Sequence, residues 1–104
     1  MKMAIMNTRQ IQTLNKVTNN DLYKSLLDEI KKNGLKNIPA IVVVETEEGF
    51  FAVTGSHRYA AADEILGEIN VELFQVDELC ELYDRDDIDE AGQELLCEIY
   101  SNVY

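Results

Sequence analysis

The residues best suited to chemistry are Gly55, Ser56, His57 and Arg58, inside the run Thr54-Gly55-Ser56-His57-Arg58-Tyr59-Ala60-Ala61-Ala62. A β-like stretch, Phe50 to Val53, leads into it, an alanine-rich helical stretch leaves it, and Gly67 supplies a stop. A strand that turns through glycine into a helix leaves backbone N–H groups free at the helix start. Those groups, with the helix dipole, form an anion site. Ser56 can cap such a helix and offer a hydroxyl, and His57 and Arg58 add donors and charge at the same end. The chemistry this suggests is a grip on phosphate. Gly-Ser is also an ordinary way to begin a helix that binds nothing.

Other elements must hold that turn. Asn19-Asn20-Asp21 reads as a helix start, with Leu22, Leu26, Leu27 and Ile30 on one face and Lys24, Asp28, Lys31 and Lys32 toward water. Asn33-Gly34 ends that helix. Ala40 to Val44 is a continuous β-branched run, expected of a strand buried on both faces. Thr46-Glu47-Glu48-Gly49 turns it back into Phe50–Val53 as a hairpin. A helix over Ser56 to Leu66 and an alternating strand over Asn70 to Val76 follow. Ahead of all these, a strand is expected over Arg9 to Leu14. Asp77 is expected to cap a short helix, Glu78 to Tyr83, and a last helix runs from about Asp89 to Asn102. In these two helices Leu79, Leu82, Leu95, Leu96 and Ile99 should face inward.

The signature turn carries a resemblance. Gly55-Ser56-His57-Arg58-Tyr59-Ala60-Ala61 resembles the motif of the ParB/sulfiredoxin superfamily, in which sulfiredoxins have Gly-Cys-His-Arg and ParB proteins Gly-Glu-Arg-Arg. Leu26 to Leu35, with its Asn-Gly-Leu turn, and Ile38-Pro39-Ala40-Ile41-Val42-Val43-Val44 are similar to the helix and strand before it in ParB N-terminal domains. The resemblance covers roughly Asp21 to Asp77. It implies an α/β fold: a small mixed sheet with packed helices, core about 9–77, plus an acidic C-terminal helical segment, 78–104, in a single domain.

The resemblance also implies a nucleotide or phosphate at Gly55, Ser56, His57 and Arg58, with ATP or another nucleotide plus Mg²⁺ as ligand and phosphotransfer or nucleotide hydrolysis as chemistry. Small serine kinases of this fold place ATP phosphates on the same loop. Sulfiredoxins attack their phosphorylated sulfinic substrate with the cysteine of the motif, and Ser56 stands there in this chain. A serine hydroxyl is a poor nucleophile without a positioned base, so no sulfinic-acid reduction is expected. ParB proteins bind CTP with help from an arginine at the end of the preceding buried strand. That strand ends here in Val44-Glu45, a carboxylate expected to repel a triphosphate. A nuclease would need metal-binding carboxylates near the loop, for which Glu45, Asp63 and Glu64 are candidates. A downstream helix-turn-helix, as in ParB, has no counterpart in these residues, so DNA partition is not expected.

Composition sets outer limits. The chain has 104 residues, 46% hydrophobic, near the common size of one domain. No apolar run approaches a membrane span, and Met1 to Met6 lacks the length and cleavage site of a signal peptide, so a cytoplasmic protein is expected. Cys80 and Cys97 with a single histidine do not make a zinc pattern. They read as small buried side chains, and with Tyr83, Tyr100 and Tyr104 as core or interface. The net charge is −11. Residues 61–104 hold Arg85 alone against fourteen Asp and Glu. This argues against binding a DNA or RNA backbone. It supports the rival reading, a non-catalytic protein that occupies a basic surface through Asp86, Asp87, Asp89 and Glu90. A DNA-mimic or anti-CRISPR-like inhibitor from a phage or mobile element would have that charge.

Overall fold

The computed structural model describes residues 1–13 and 17–103. Strands β1 (Lys2–Asn7), β2 (Ile11–Gln12), β3 (Ile41–Thr46), β4 (Gly49–Ala52) and β5 (Glu68–Gln75) form one sheet in the order β1-β5-β3-β4-β2. The β1/β5 and β3/β4 pairs are antiparallel, and β3/β5 and β4/β2 are parallel. Helices α1 (Asn20–Asn33), α2 (Ser56–Ile65) and α3 (Glu90–Val103) complete the fold, with 3-10 segments at Thr8–Gln10 and Val76–Leu82.

The sheet exists because β3 is apolar at every position that both layers need. Ile41, Val42, Val43 and Val44 are fully buried. Successive strand residues point to opposite faces, and the β3 side chains divide accordingly. Ile41 and Val43 pack with Ile30 of α1, Ala61 and Ala62 of α2, and Ile69 and Val71 of β5. Val42 and Val44 pack with Phe74, Leu79 and Leu82, and with Leu95, Leu96 and Ile99 of α3. Each fully buried valine contributes on the order of 1.5–3 kcal/mol. The inward set expected of the C-terminal helices is thus buried as expected, and the segment is a full second layer rather than an appendage.

Three expectations are corrected. The sheet begins at Lys2, ahead of the boundary at residue 9, because β1 pairs with β5 along its whole length. The strand expected over Arg9 to Leu14 shrinks to Ile11–Gln12 behind a 3-10 turn, and Leu14 lies outside the described residues. The core placement of Cys80, Cys97, Tyr83 and Tyr100 is corrected, since all four are exposed, and the two tyrosine rings meet edge to face at 6.4 Å. Tyr104 lies outside the described residues.

The short helix after β5 is also not capped by Asp77. It is a 3-10 segment, Val76–Leu82, starting two residues earlier with Gln75 at the cap, and the Glu78 carboxylate accepts from the Gln75 backbone N–H at 2.9 Å. The connector to α3 is held by Arg85, which donates from Nε and Nη2 to Asp87 at 2.9 and 2.7 Å, and from Nη2 to Glu72 of β5 at 3.0 Å. α3 then sits close to the sheet at Gly92, where a Cβ would lie 2.3 Å from the Val53 carbonyl oxygen.

Two tests follow from this packing. Alanine normally stabilises a helix interior over glycine by about 1 kcal/mol. At Gly92 it must instead push α3 off a backbone carbonyl, so Gly92→Ala should lower urea stability by about 1–3 kcal/mol. The Asp87 pKa is lowered, chiefly by its hydrogen bonds from Arg85. A lowered carboxylate contributes stability above its unfolded pKa, near 3.9, and loses it as the pH falls through the folded value. Asp87→Asn should therefore cost at most about 1 kcal/mol at neutral pH, as for an exposed pair. Its deficit relative to wild type should vanish at pH values below that window in acid titrations followed by circular dichroism.

Candidate functional site

The signature turn is set by what β3 allows. The Val53 N–H donates to the Val42 carbonyl at 2.9 Å, and the buried Thr54 Oγ1 accepts from the Val42 N–H at 2.9 Å. The chain is thereby laid against β3 and must turn at Gly55, whose φ of +78° is left-handed. A Cβ at Gly55 would sit 2.2 Å from Ile41 Cγ2. Glycine is required there on both counts. Gly55 is also the residue that caps α2, since its carbonyl accepts the Tyr59 N–H at 2.8 Å. Ser56 is the first helical residue, and no side-chain bond caps the helix. The expected capping role of Ser56 is therefore corrected, and the first N–H groups of α2 keep no side-chain acceptor.

A pocket of about 470 Å³ opens at this helix end, lined by Gly55, Ser56, His57 and Arg58, by Thr18, Leu22 and Leu26, and by Asp89. The four residues singled out in the sequence are thus brought to one wall. Arg58 is folded against the end of the loop before β3, where its Nη1 donates to the Pro39 and Ala40 carbonyls, each at 3.0 Å. Burial lowers its pKa, and the nearby Asp87 and Glu72 charges oppose that shift. Arginine stays cationic under such shifts.

His57 joins two helices. Its Nε2 accepts from the backbone N–H groups of Thr18 and Asn19 at 3.2 and 3.0 Å. Asn19 is itself the cap of α1, its side chain accepting from the Leu22 N–H. Backbone N–H groups only donate, so the ring proton belongs on Nδ1, which lies 3.4 Å from Ser56 Oγ. In this tautomer Nδ1 cannot take a proton from Ser56. His57 is therefore not placed as the base that nucleophilic attack by Ser56 requires. Tyr59 leaves the site and fastens α2 elsewhere, its hydroxyl donating to the Thr8 carbonyl at 2.7 Å.

Glu45 is not the carboxylate at this pocket. β3 and β4 are antiparallel, so the turn that follows β4 lies beside Ile41, at the opposite end of β3 from Glu45. Four residues of strand rise separate those ends by roughly 13 Å. Asp63 accepts from Thr8 Oγ1 at 2.6 Å, and neither it nor Glu64 lines the pocket. The three carboxylates proposed for a nuclease are therefore not gathered at the loop. The carboxylate that does line the pocket is Asp89, which caps α3 by accepting from the Gly92 N–H at 2.9 Å. Sequence reasoning had assigned Asp89, with Asp86, Asp87 and Glu90, to a separate partner surface. In the fold Asp89 caps a helix and Asp87 pairs with Arg85, so reversing all four charges would disturb local structure. Leu22, expected on the apolar face of α1, is 45% exposed and forms an apolar side of the pocket. Its surplus on the apolar face of α1 was the available signal.

No family model matches the sequence, and no curated protein does. Solved structures do match the fold. A sulfiredoxin from Arabidopsis thaliana superposes with a TM-score of 0.63 at 21% identity, over 78% of this chain and 96% of that one. ParB from Caulobacter crescentus, C-terminally truncated and complexed with CTP-γ-S, gives 0.61 at 16% identity over 91% of this chain. The same protein complexed to the centromeric parS site gives 0.57 at 15% identity over 92%. This chain spans 60% and 55% of those two ParB chains. The sheet and its packed helices therefore constitute a ParB/sulfiredoxin-like fold.

Proposed function

We propose that this protein is a nucleotide- or phosphate-binding domain whose site is the Gly55–Arg58 turn. One observation carries the reading: the N-terminus of α2, which has no side-chain cap, opens into a pocket that also holds the Arg58 side chain. An anion there meets several backbone N–H groups, the helix dipole and a fixed positive charge. Leu22 and Leu26 offer an apolar side for the rest of a nucleotide. The fold neighbour that carries CTP-γ-S is consistent with such a ligand.

Magnesium enters this reading with the nucleotide. Among the described residues no group of three or more His, Cys, Asp or Glu is arranged to hold a metal. Mg²⁺ is commonly held by substrate phosphates and one or two carboxylates, and Asp89 is the carboxylate on the pocket wall. Binding is what these residues support. Ser56 has no thiol and His57 is not placed as its base, so sulfiredoxin redox chemistry is not part of the proposal.

Isothermal titration with ATP, CTP and inorganic phosphate, each with and without Mg²⁺, tests the site. Arg58→Ala should weaken the best ligand by about 1.5–3 kcal/mol, the scale of a charge-assisted hydrogen bond. Arg58 also braces two carbonyls, so Arg58→Lys serves as a second variant that keeps the charge. Absence of binding by wild type at millimolar ligand would overturn the reading. Incubation with ATP and an over-oxidised peroxiredoxin should leave the sulfinic acid unrepaired, and repair would contradict the role given to Ser56.

A further inference from the structure

The other end of the sheet holds a second, larger cavity of about 640 Å³, between the β3–β4 hairpin and the C-terminal half of α3. Its floor is apolar. Phe51 and Val76 are half-buried there, beside the buried Leu95 and Ile99 of α3. Its rim is acidic, with Glu45, Glu47 and Glu48 from the hairpin and Glu98 from α3. No ion pair among the described residues involves any of these four carboxylates. Glu45 accepts from Gln75 at 2.7 Å, and Glu47, Glu48 and Glu98 are exposed.

Like charges gathered around an apolar floor repel one another and destabilise the folded state slightly. A cationic partner removes that repulsion and covers the floor in one step. We propose that this groove docks a cationic amphipathic segment of a partner protein, with apolar side chains on Phe51 and Val76 and lysine or arginine against the four glutamates. The complementarity is of charge and polarity together: a nucleic acid is repelled by the rim, and a purely polar polycation leaves the floor uncovered. This surface is distinct from the phosphate pocket, and the proposal does not depend on that pocket being occupied. It also moves the basic-partner surface from the Asp86–Glu90 connector, whose Asp87 and Asp89 serve the fold, to the hairpin end.

The test uses fluorescein-labelled synthetic peptides of leucine and lysine, one with leucines at helical spacing and one with leucines alternating. Versions with serine in place of leucine serve as comparisons. Fluorescence anisotropy at low salt should show at least one leucine–lysine peptide binding, with affinity falling as salt shortens the screening length. The triple variant E47K/E48K/E98K should lose about tenfold or more in affinity. The matched triple D28K/E64K/D84K, also at exposed positions, should change it by less than about threefold. The serine peptides should bind at least about tenfold more weakly. If the first triple does not fold by circular dichroism, E48Q/E98Q takes its place. Arg58→Ala should leave peptide binding unchanged, which separates this proposal from the phosphate site. No binding by either leucine–lysine peptide, equal losses in the two triples, or equal affinity for the serine peptides would overturn it.

Discussion

The structure depends on the contact between Gly55 and Ile41. The chain has to leave β4 and enter α2 within van der Waals reach of a fully buried β3 side chain, and no Cβ fits in that space. On the other face, Gly92 lets α3 press against the carbonyl of Val53, two residues earlier. One short stretch, Val53-Thr54-Gly55, is therefore gripped from both layers. Thr54 completes the grip by accepting the Val42 N–H. The start of α2 is consequently fixed by the core and not by a flexible loop. Precise placement of backbone N–H groups is what an anion site needs, because their directions contribute as much as their partial charges.

Around that fixed point the starts of three helices gather. α1 is tied in by the bonds from Thr18 and Asn19 to His57, α2 begins at the glycine turn, and Asp89 at the head of α3 lines the same pocket. Each helix start carries a partial positive charge. Asn19 and Asp89 cap two of them with side chains, while α2 has no side-chain cap. The free positive end is thus the one beside Arg58. Asp89 lowers the positive potential of that pocket by its own charge.

Much of this was legible in the sequence, for reasons that can be named. The β-branched run at Ile41–Val44 and the glycine turn specify strand, turn and helix through local sterics. Leu79, Leu82, Leu95, Leu96 and Ile99 follow helical spacing and are buried. β1 was missed because Met3 and Ile5 are 59% and 63% exposed, so its solvent face is as apolar as its buried face and the period of two is erased. The Ser56 cap was misassigned by one residue because glycine and serine both suit a helix start, and only the close approach of Ile41 decides between them. Glu45 and Asp89 exchanged places for a topological reason. The resemblance to ParB, with its arginine at the end of the preceding strand, put Glu45 beside the motif, whereas the antiparallel hairpin carries Glu45 to the far end of the sheet and the chain reversal before α3 brings Asp89 back.

That hairpin also separates the two pockets of this small acidic domain. The pocket at the start of α2 lies at the Ile41 end of β3, and the glutamate-rimmed groove lies at the Thr46 end. Six residues of strand, Ile41–Thr46, span roughly 17 Å from first to last. The screening length at physiological salt is about 8 Å. The four groove carboxylates therefore contribute little to the potential at Arg58, while Asp87 and Glu72 act on it directly. Placing the hairpin glutamates close to Arg58 would oppose the anion binding proposed there. Strand length keeps them apart, and α3, headed by Asp89 at one pocket and supplying Leu95, Glu98 and Ile99 to the other, is the rigid element that fixes the distance between the two.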